Sequence, residues 1–147
     1  IELGKLLKTD FQIVLVGLTK KQIEKLPDNI LGIERTESVK ELAEIYSASD
    51  VFVNPTYEDS FPTTNLESLA CGTPVITYKT GGSPEAIDEL TGIVVEQGNI
   101  AKLIDSIEMV KNKGKQYYSD ACVNRAHKLY KKEDRYQEYI ELYGSLL

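Results

Sequence analysis

Short apolar runs alternate with stretches of helical periodicity along most of the chain. Gln12-Ile-Val-Leu-Val-Gly17 reads as a buried strand ending at a glycine. Asn29-Ile-Leu-Gly-Ile-Glu34 is a weaker run of the same kind, after a helix-like segment broken by Pro27. Val39, Leu42, Ala43 and Tyr46 recur on one helical face. Val51-Phe-Val-Asn-Pro55 is the next strand, closed by its proline. Thr64 to Ala70 predicts a helix stopped at Gly72, and Pro74-Val-Ile-Thr-Tyr78 a further strand. Gly81-Gly82 then turns the chain into a short helix around Pro84 to Glu89, and Gly92-Ile-Val-Val-Glu96 makes the last strand. From Ile100 onward the pattern is helical only.

Apolar strands separated by helices imply a parallel sheet covered on both faces, with right-handed crossovers. The expectation is therefore an α/β fold: a Rossmann-like open parallel sheet of about five strands with helices on both faces and a C-terminal helical tail. Ligands of such sheets bind at the carboxyl ends of the strands. That directs attention to loops 17–21, 34–38, 55–63 and 78–83. The tail, residues 117–147, holds six of the nine tyrosines. Tyr136, Ile140 and Tyr143 share a face there, with Tyr139 beside it. This face either packs on its own domain or is made in part for a partner domain.

Size and charge narrow the function. A chain of 147 residues has room for one domain with a real core. Seventeen basic residues against twenty-three acidic ones, a net charge of −6, argue against gripping nucleic acid or an anionic membrane. No apolar run approaches the roughly 20 residues that span a bilayer. The start, Ile1-Glu2-Leu3-Gly4-Lys5, lacks an initiator Met and a signal-peptide shape, which suggests a piece of a longer chain. Cys71 and Cys122 read as separate buried thiols. The lone histidine, His127, leaves a His-rich metal site or a Ser-His-Asp triad without support, and no metal site is expected.

The chemistry lies in Asn54-Pro-Thr-Tyr-Glu58-Asp59-Ser60-Phe61-Pro62-Thr63-Thr64-Asn65-Leu66-Glu67. This is a strand end, a loop with two adjacent carboxylates, and a helix start bearing a third. Free amides at a helix N-terminus, here about Thr63 to Leu66, suit a phosphate without any Lys or Arg. Carboxylates beside a phosphate are repelled by it and are better used to accept hydrogen bonds from sugar hydroxyls. A nucleotide sugar carries such hydroxyls on both sides of its diphosphate.

Asp59, seven residues, then Glu67, running into Leu-Ala-Cys-Gly-Thr-Pro-Val-Ile, resembles the acidic E-x7-E motif of retaining glycosyltransferases of the GT-B fold, family 4. Gly81-Gly82-Ser83-Pro84-Glu85 and the glycine-led strand at Gly92 also fit that family's pattern. The resemblance covers roughly residues 10–110 and implies the donor-binding half of a two-domain enzyme. Its substrate would be a nucleotide-diphosphate sugar, most commonly a UDP-sugar, with no separate cofactor. The hexosyl group would pass with retention to an acceptor such as a growing polysaccharide or lipid-linked glycan. The resemblance further implies a cytoplasmic enzyme, often working near a membrane, whose N-terminal domain binds the acceptor. Glu67 would accept from the ribose hydroxyls and Asp59 would hold the transferred sugar. Ser60, Phe61, Pro62, Thr63, Thr64, Asn65 and Leu66 would line the sugar and diphosphate, and Arg35 and Thr36 would lie at the nucleobase.

Two departures stand out. Asp59 replaces the usual Glu and has Glu58 beside it, so either carboxylate could reach the sugar; spacing favours Asp59. Pro62 replaces a flexible glycine and removes an amide. The family's basic pair, Arg and Lys, belongs to a first β-α unit that would precede Ile1. Without it, the chain alone is expected to bind donor weakly and catalyse nothing. Plainer readings compete. Thr64-x-x-Glu67 is also a capping box, and Gly81-Gly82 could be turn chemistry with Ser83 as N-cap. Asp59 and Glu58 could be solvated loop charges. The alternative function is a non-catalytic nucleotide- or phosphate-binding α/β module. A hydrolase using Asp59 and Glu67 is disfavoured, since Glu67 would lie about a turn inside its helix.

Overall fold

The computed structural model describes residues 2–7 and 11–146. Positions 1, 8–10 and 147, which include the ends of the sequence and of the Tyr-rich tail, lie outside the described residues. A short helix α1 (Glu2–Leu6) precedes β1 (Ile13–Val16), α2 (Lys20–Ile23), β2 (Ile30–Ile33) and α3 (Val39–Ala48). Then come β3 (Phe52–Asn54), α4 (Thr63–Ala70), β4 (Val75–Tyr78), a 3-10 turn at Ser83–Ala86 and β5 (Gly92–Val95). Three helices close the chain: α5 (Ile100–Lys113), α6 (Gln116–Tyr130) and α7 (Lys132–Ser145).

All strand pairs are parallel, as the apolar runs require. They form two ladders, β1 with β2 and β3-β4-β5, with no ladder joining them among the described residues. Apolar runs define strands but not which edges meet. β4 is central in its ladder and buried at every position, so Val75, Ile76 and Tyr78 anchor the core with Leu69, Val95, Leu103, Ile107, Val110, Tyr118 and Cys122. The strand accommodates β5 at close range because residue 92 is glycine: a Cβ there would stand 2.0 Å from the Val75 carbonyl oxygen.

The helices follow their periodicity with two exceptions. On α3, Leu42, Ala43 and Tyr46 turn inward but Val39 is exposed in the first turn. α7 buries nothing: Tyr136, Tyr139, Ile140 and Tyr143 all face outward, so this face does not pack on its own domain. Among the described residues no helix is long and apolar enough to cross a membrane.

Candidate functional site

The site assembles where β3 and β4 end. From Asn54 the chain enters the acidic loop, which is tied by hydrogen bonds to β4 and to the segments that follow β4 and β5. Thr77 Oγ1 donates to the Asn54 carbonyl (3.1 Å), and Thr80 Oγ1 to that of Thr56 (2.9 Å). Gln97 Nε2 donates to the Tyr57 carbonyl (3.0 Å), and the Gly82 amide to that of Ser60 (2.8 Å).

The two glycines exist for that approach. A Cβ on Gly81 would lie 1.9 Å from the Asp59 carbonyl oxygen, and one on Gly82 2.3 Å from that of Ser60. Gly81 also sits at φ 48, where side chains are disfavoured. Gly82, not Ser83, is the N-cap of the 3-10 turn. The Gly-Gly pair is therefore a seat for the acidic loop rather than turn chemistry alone.

Within the loop the neighbouring acids differ. Asp59 is half-buried and its Oδ1 accepts from the Phe61 amide (3.1 Å), which fixes the carboxylate and removes that amide from any ligand. Glu58 is exposed, and among the described residues its carboxylate has no partner. Ser60 is exposed, Phe61 half-buried against Tyr130 (ring centroids 6.0 Å) and Pro62 buried.

Helix α4 starts at Thr63 with Pro62 as N-cap and no side-chain cap. The capping box expected from Thr64 and Glu67 is absent because the helix starts one residue before Thr64, which puts its hydroxyl past the cap position. Thr63 and Thr64 are exposed, and their amides, without an intrahelical acceptor, carry the positive end of the helix dipole. Glu67 is exposed one turn on, and its Oε2 accepts from the Tyr46 hydroxyl (3.2 Å).

Asn65 and Leu66 differ from their expected role. Asn65 is fully buried, and its amide N–H goes to the Pro62 carbonyl. Its side chain accepts from Asn54 Nδ2 (2.9 Å) and donates to Ser83 Oγ (3.1 Å), which in turn meets Thr77 Oγ1 at 2.7 Å. Leu66 packs against the core. Asn65 thus braces the site from behind, while Leu66 is only partly buried. None of Asn54, Thr77, Ser83 and Tyr46 was assigned to the site from sequence, where Ser83 read as an N-cap and Tyr46 as part of an apolar helix face. The one available signal was polar Thr77 inside an otherwise apolar strand.

Arg35 is exposed and Thr36 half-buried after β2. No hydrogen bond, ion pair or ring contact joins them to the acidic loop among the described residues. A cavity of about 450 Å³ lies elsewhere, lined by Ile87, Ile93, Val94 and Met109 among others. Asp88, Glu89, Lys113 and Tyr118 also line it, and it does not border the acidic loop.

Two parallel ladders flanked by helices, with an acidic loop and a helix N-terminus at the strand ends, match the α/β domains of GT-B glycosyltransferases. The chain belongs to the glycosyl transferases group 1 family, whose sequence profile matches residues 2–112. It is 30% identical over 130 residues to a D-inositol 3-phosphate glycosyltransferase of Mycobacterium sp. (strain KMS), covering 80% of this chain and 30% of that protein. A counterpart in Mycobacteroides abscessus is 38% identical over 87 residues, covering 58% of this chain and 19% of its own. The chain thus spans under a third of the curated relatives it matches. Among solved structures, sucrose-phosphate synthase from Thermosynechococcus elongatus superposes with a TM-score of 0.81 at 27% identity, over 92% of this chain and 38% of that one. Anabaena HepE, solved in complex with UDP, shares the fold with a TM-score of 0.82 at 17% identity, over 98% of this chain and 43% of its own.

Proposed function

We propose that this chain is the donor-binding half of a retaining, family 4 glycosyltransferase, moving a hexosyl group from a nucleotide-diphosphate sugar to a glycan or lipid-linked acceptor. The observation that carries it is one arrangement. Two acids with seven residues between them flank an uncapped helix N-terminus at the carboxyl ends of β3 and β4. An anionic diphosphate would sit on the Thr63 and Thr64 amides, whose dipole stabilises the charge that grows as the sugar leaves. Glu67 would accept from the ribose hydroxyls and tethered Asp59 from the hydroxyls of the sugar, with Ser60, Phe61 and Pro62 beside it. Asp59 is favoured over Glu58 because its carboxylate is already fixed. Arg35 and Thr36 would meet the base. Complexes of HepE with UDP and with UDP-glucose favour a UDP-sugar donor here.

The split sheet supports a further part of the reading. In a doubly wound sheet of order 3-2-1-4-5-6, one central strand separates two flanks. The ladders β2-β1 and β3-β4-β5 correspond to those flanks. We place a preceding β-α unit, bearing the basic pair for the leaving diphosphate, between them. An acceptor-binding domain would complete the cleft in a cytoplasmic enzyme.

The test is a parallel titration with UDP, GDP and ADP, followed by NMR. Shifts localised at 35–36 and 63–67 with one base preferred are expected. Glu67→Ala should weaken that binding by about 1–3 kcal/mol, the scale of hydrogen bonds to charged groups. Silence in a longer form that includes the preceding unit would refute the donor-site reading. Transfer assays on the full-length protein, with the product anomer assigned, decide retention against a non-catalytic binding module.

A further inference from the structure

The last turn of α3 carries a buried tyrosine whose hydroxyl does something packing alone does not require. The Tyr46 ring lies edge-on to Phe52 of β3, centroids 5.4 Å apart at 81°. Its backbone carbonyl accepts from Thr73 Oγ1 at 2.6 Å, which ties this turn to the α4–β4 connection. Ring and backbone are therefore held from two sides, and a Phe would fill the same space. The hydroxyl instead crosses to α4 and donates to Glu67 Oε2 at 3.2 Å. Among the described residues, Tyr46 is the side-chain partner that Glu67 has.

We infer that Tyr46 is a positioning residue for Glu67, aiming the carboxylate so that it meets the ribose hydroxyls of the donor already ordered. The inference rests on the donor-binding role proposed above for Glu67. An exposed glutamate samples many rotamers, and ordering it on binding weakens affinity. A hydrogen bond from a rigid, buried ring restricts that sampling beforehand. The bond is long beside the roughly 2.5–2.7 Å of tight hydroxyl–carboxylate pairs. It therefore steers one oxygen while leaving lone pairs on both for a ligand. Burial, reinforced by the Glu67 charge, pushes the Tyr46 phenol well above its ordinary value, so it remains a donor at neutral pH.

The experiment compares ribose and deoxyribose ligands on the full-length protein. Calorimetry gives affinities of UDP, GDP and ADP, each with its 2′-deoxy counterpart, for wild type, Tyr46→Phe and Glu67→Gln. Tyr46→Phe should weaken the preferred ribonucleotide about three- to tenfold, the contribution of one hydrogen bond, and barely move its deoxy counterpart. Glu67→Gln should show the same selectivity more strongly. In turnover, Tyr46→Phe should raise KM more than it lowers kcat, because the contact is made in ground and transition state alike. Equal weakening of both ligands by Tyr46→Phe, while Glu67→Gln still weakens the ribonucleotide alone, overturns the positioning role and spares the reading of Glu67. A Glu67→Gln change that weakens both ligands equally or neither, or a wild type that binds none of the nucleotides, overturns that reading and this inference together. A readout free of mutation guards against a misfolded variant. The Tyr46 Cζ resonance of the wild type should move with the ribonucleotide and not with the deoxy form, and a resonance that moves with neither overturns the inference.

Discussion

Asn65 shows how far a residue's position in a motif can mislead about its job. It stands between the two acids of the motif, yet it is fully buried and links β3, α4 and the Ser83 turn through Asn54 and Ser83. Asn65→Ala would leave the Asn54 amide and the Ser83 hydroxyl short of a partner. We expect a loss of about 2–3 kcal/mol in urea denaturation, the scale of buried polar groups left unpaired. Gly82 is as constrained from the other side. Alanine there must displace the Ser60 carbonyl from 2.3 Å, so Gly82→Ala should cost about 1–3 kcal/mol and shift the acidic loop. Its amide resonances at 58–61 would report that shift. The spacing of the two acids was legible, because spacing along a loop and helix is a local property. The residues behind them were not, since Asn54, Asn65, Thr77 and Ser83 come together only through the sheet.

At the level of elements, the start of α4 decides between two roles for Glu67. A capping box would have made Thr64 worth about 1 kcal/mol. With Pro62 at the cap and Thr64 inside the first turn, Thr64→Ala should change stability by under about 0.5 kcal/mol, measured by urea midpoint. A loss near 1 kcal/mol would restore the capping role and weaken the case for an open helix end. The α6 helix carries a thiol that the core keeps neutral. Burial first, and then the Asp88 charge, pushes Cys122 up to about 12 from an ordinary 9.0. The folded state thus holds its proton where the unfolded chain loses it. Stability is complete below about pH 9 and is lost as pH rises through 9 towards 12. Cys122→Ala should flatten that slope between pH 9 and 10, before Tyr46, with an ordinary value of 10.0, begins to contribute in the same direction. An unchanged slope would mean that the thiol is not the group responsible.

The whole molecule divides into a packed body and an uncovered tail. α7 contributes no buried residue, so ending the chain at Lys131 should alter the stability of the remainder by less than about 1 kcal/mol. It should also reduce self-association through Tyr136, Tyr139, Ile140 and Tyr143, as sedimentation would show. A large drop in unfolding midpoint would instead reveal packing by α7 on the domain. α6 behaves differently, since Arg125 binds the Glu85 and Ala86 carbonyls and pairs with Asp88 at 2.6 Å. It fastens the Gly-Gly turn, and through it the acidic loop, to the helical layer.

Strand positions and the parallel α/β class could be read from the chain itself. Periodicity, the punctuation of Gly and Pro, and short-range spacing are written within a few residues. Tertiary structure alone decided that the described residues form two ladders, that Asn65 is buried, and that the tyrosine face of α7 is bare. It also decided that Glu67 answers to Tyr46 and not to Thr64. Each of these depends on which surfaces meet across tens of residues. A hydrogen bond spanning 21 positions, from Tyr46 to Glu67, leaves no mark on the spacing of either residue.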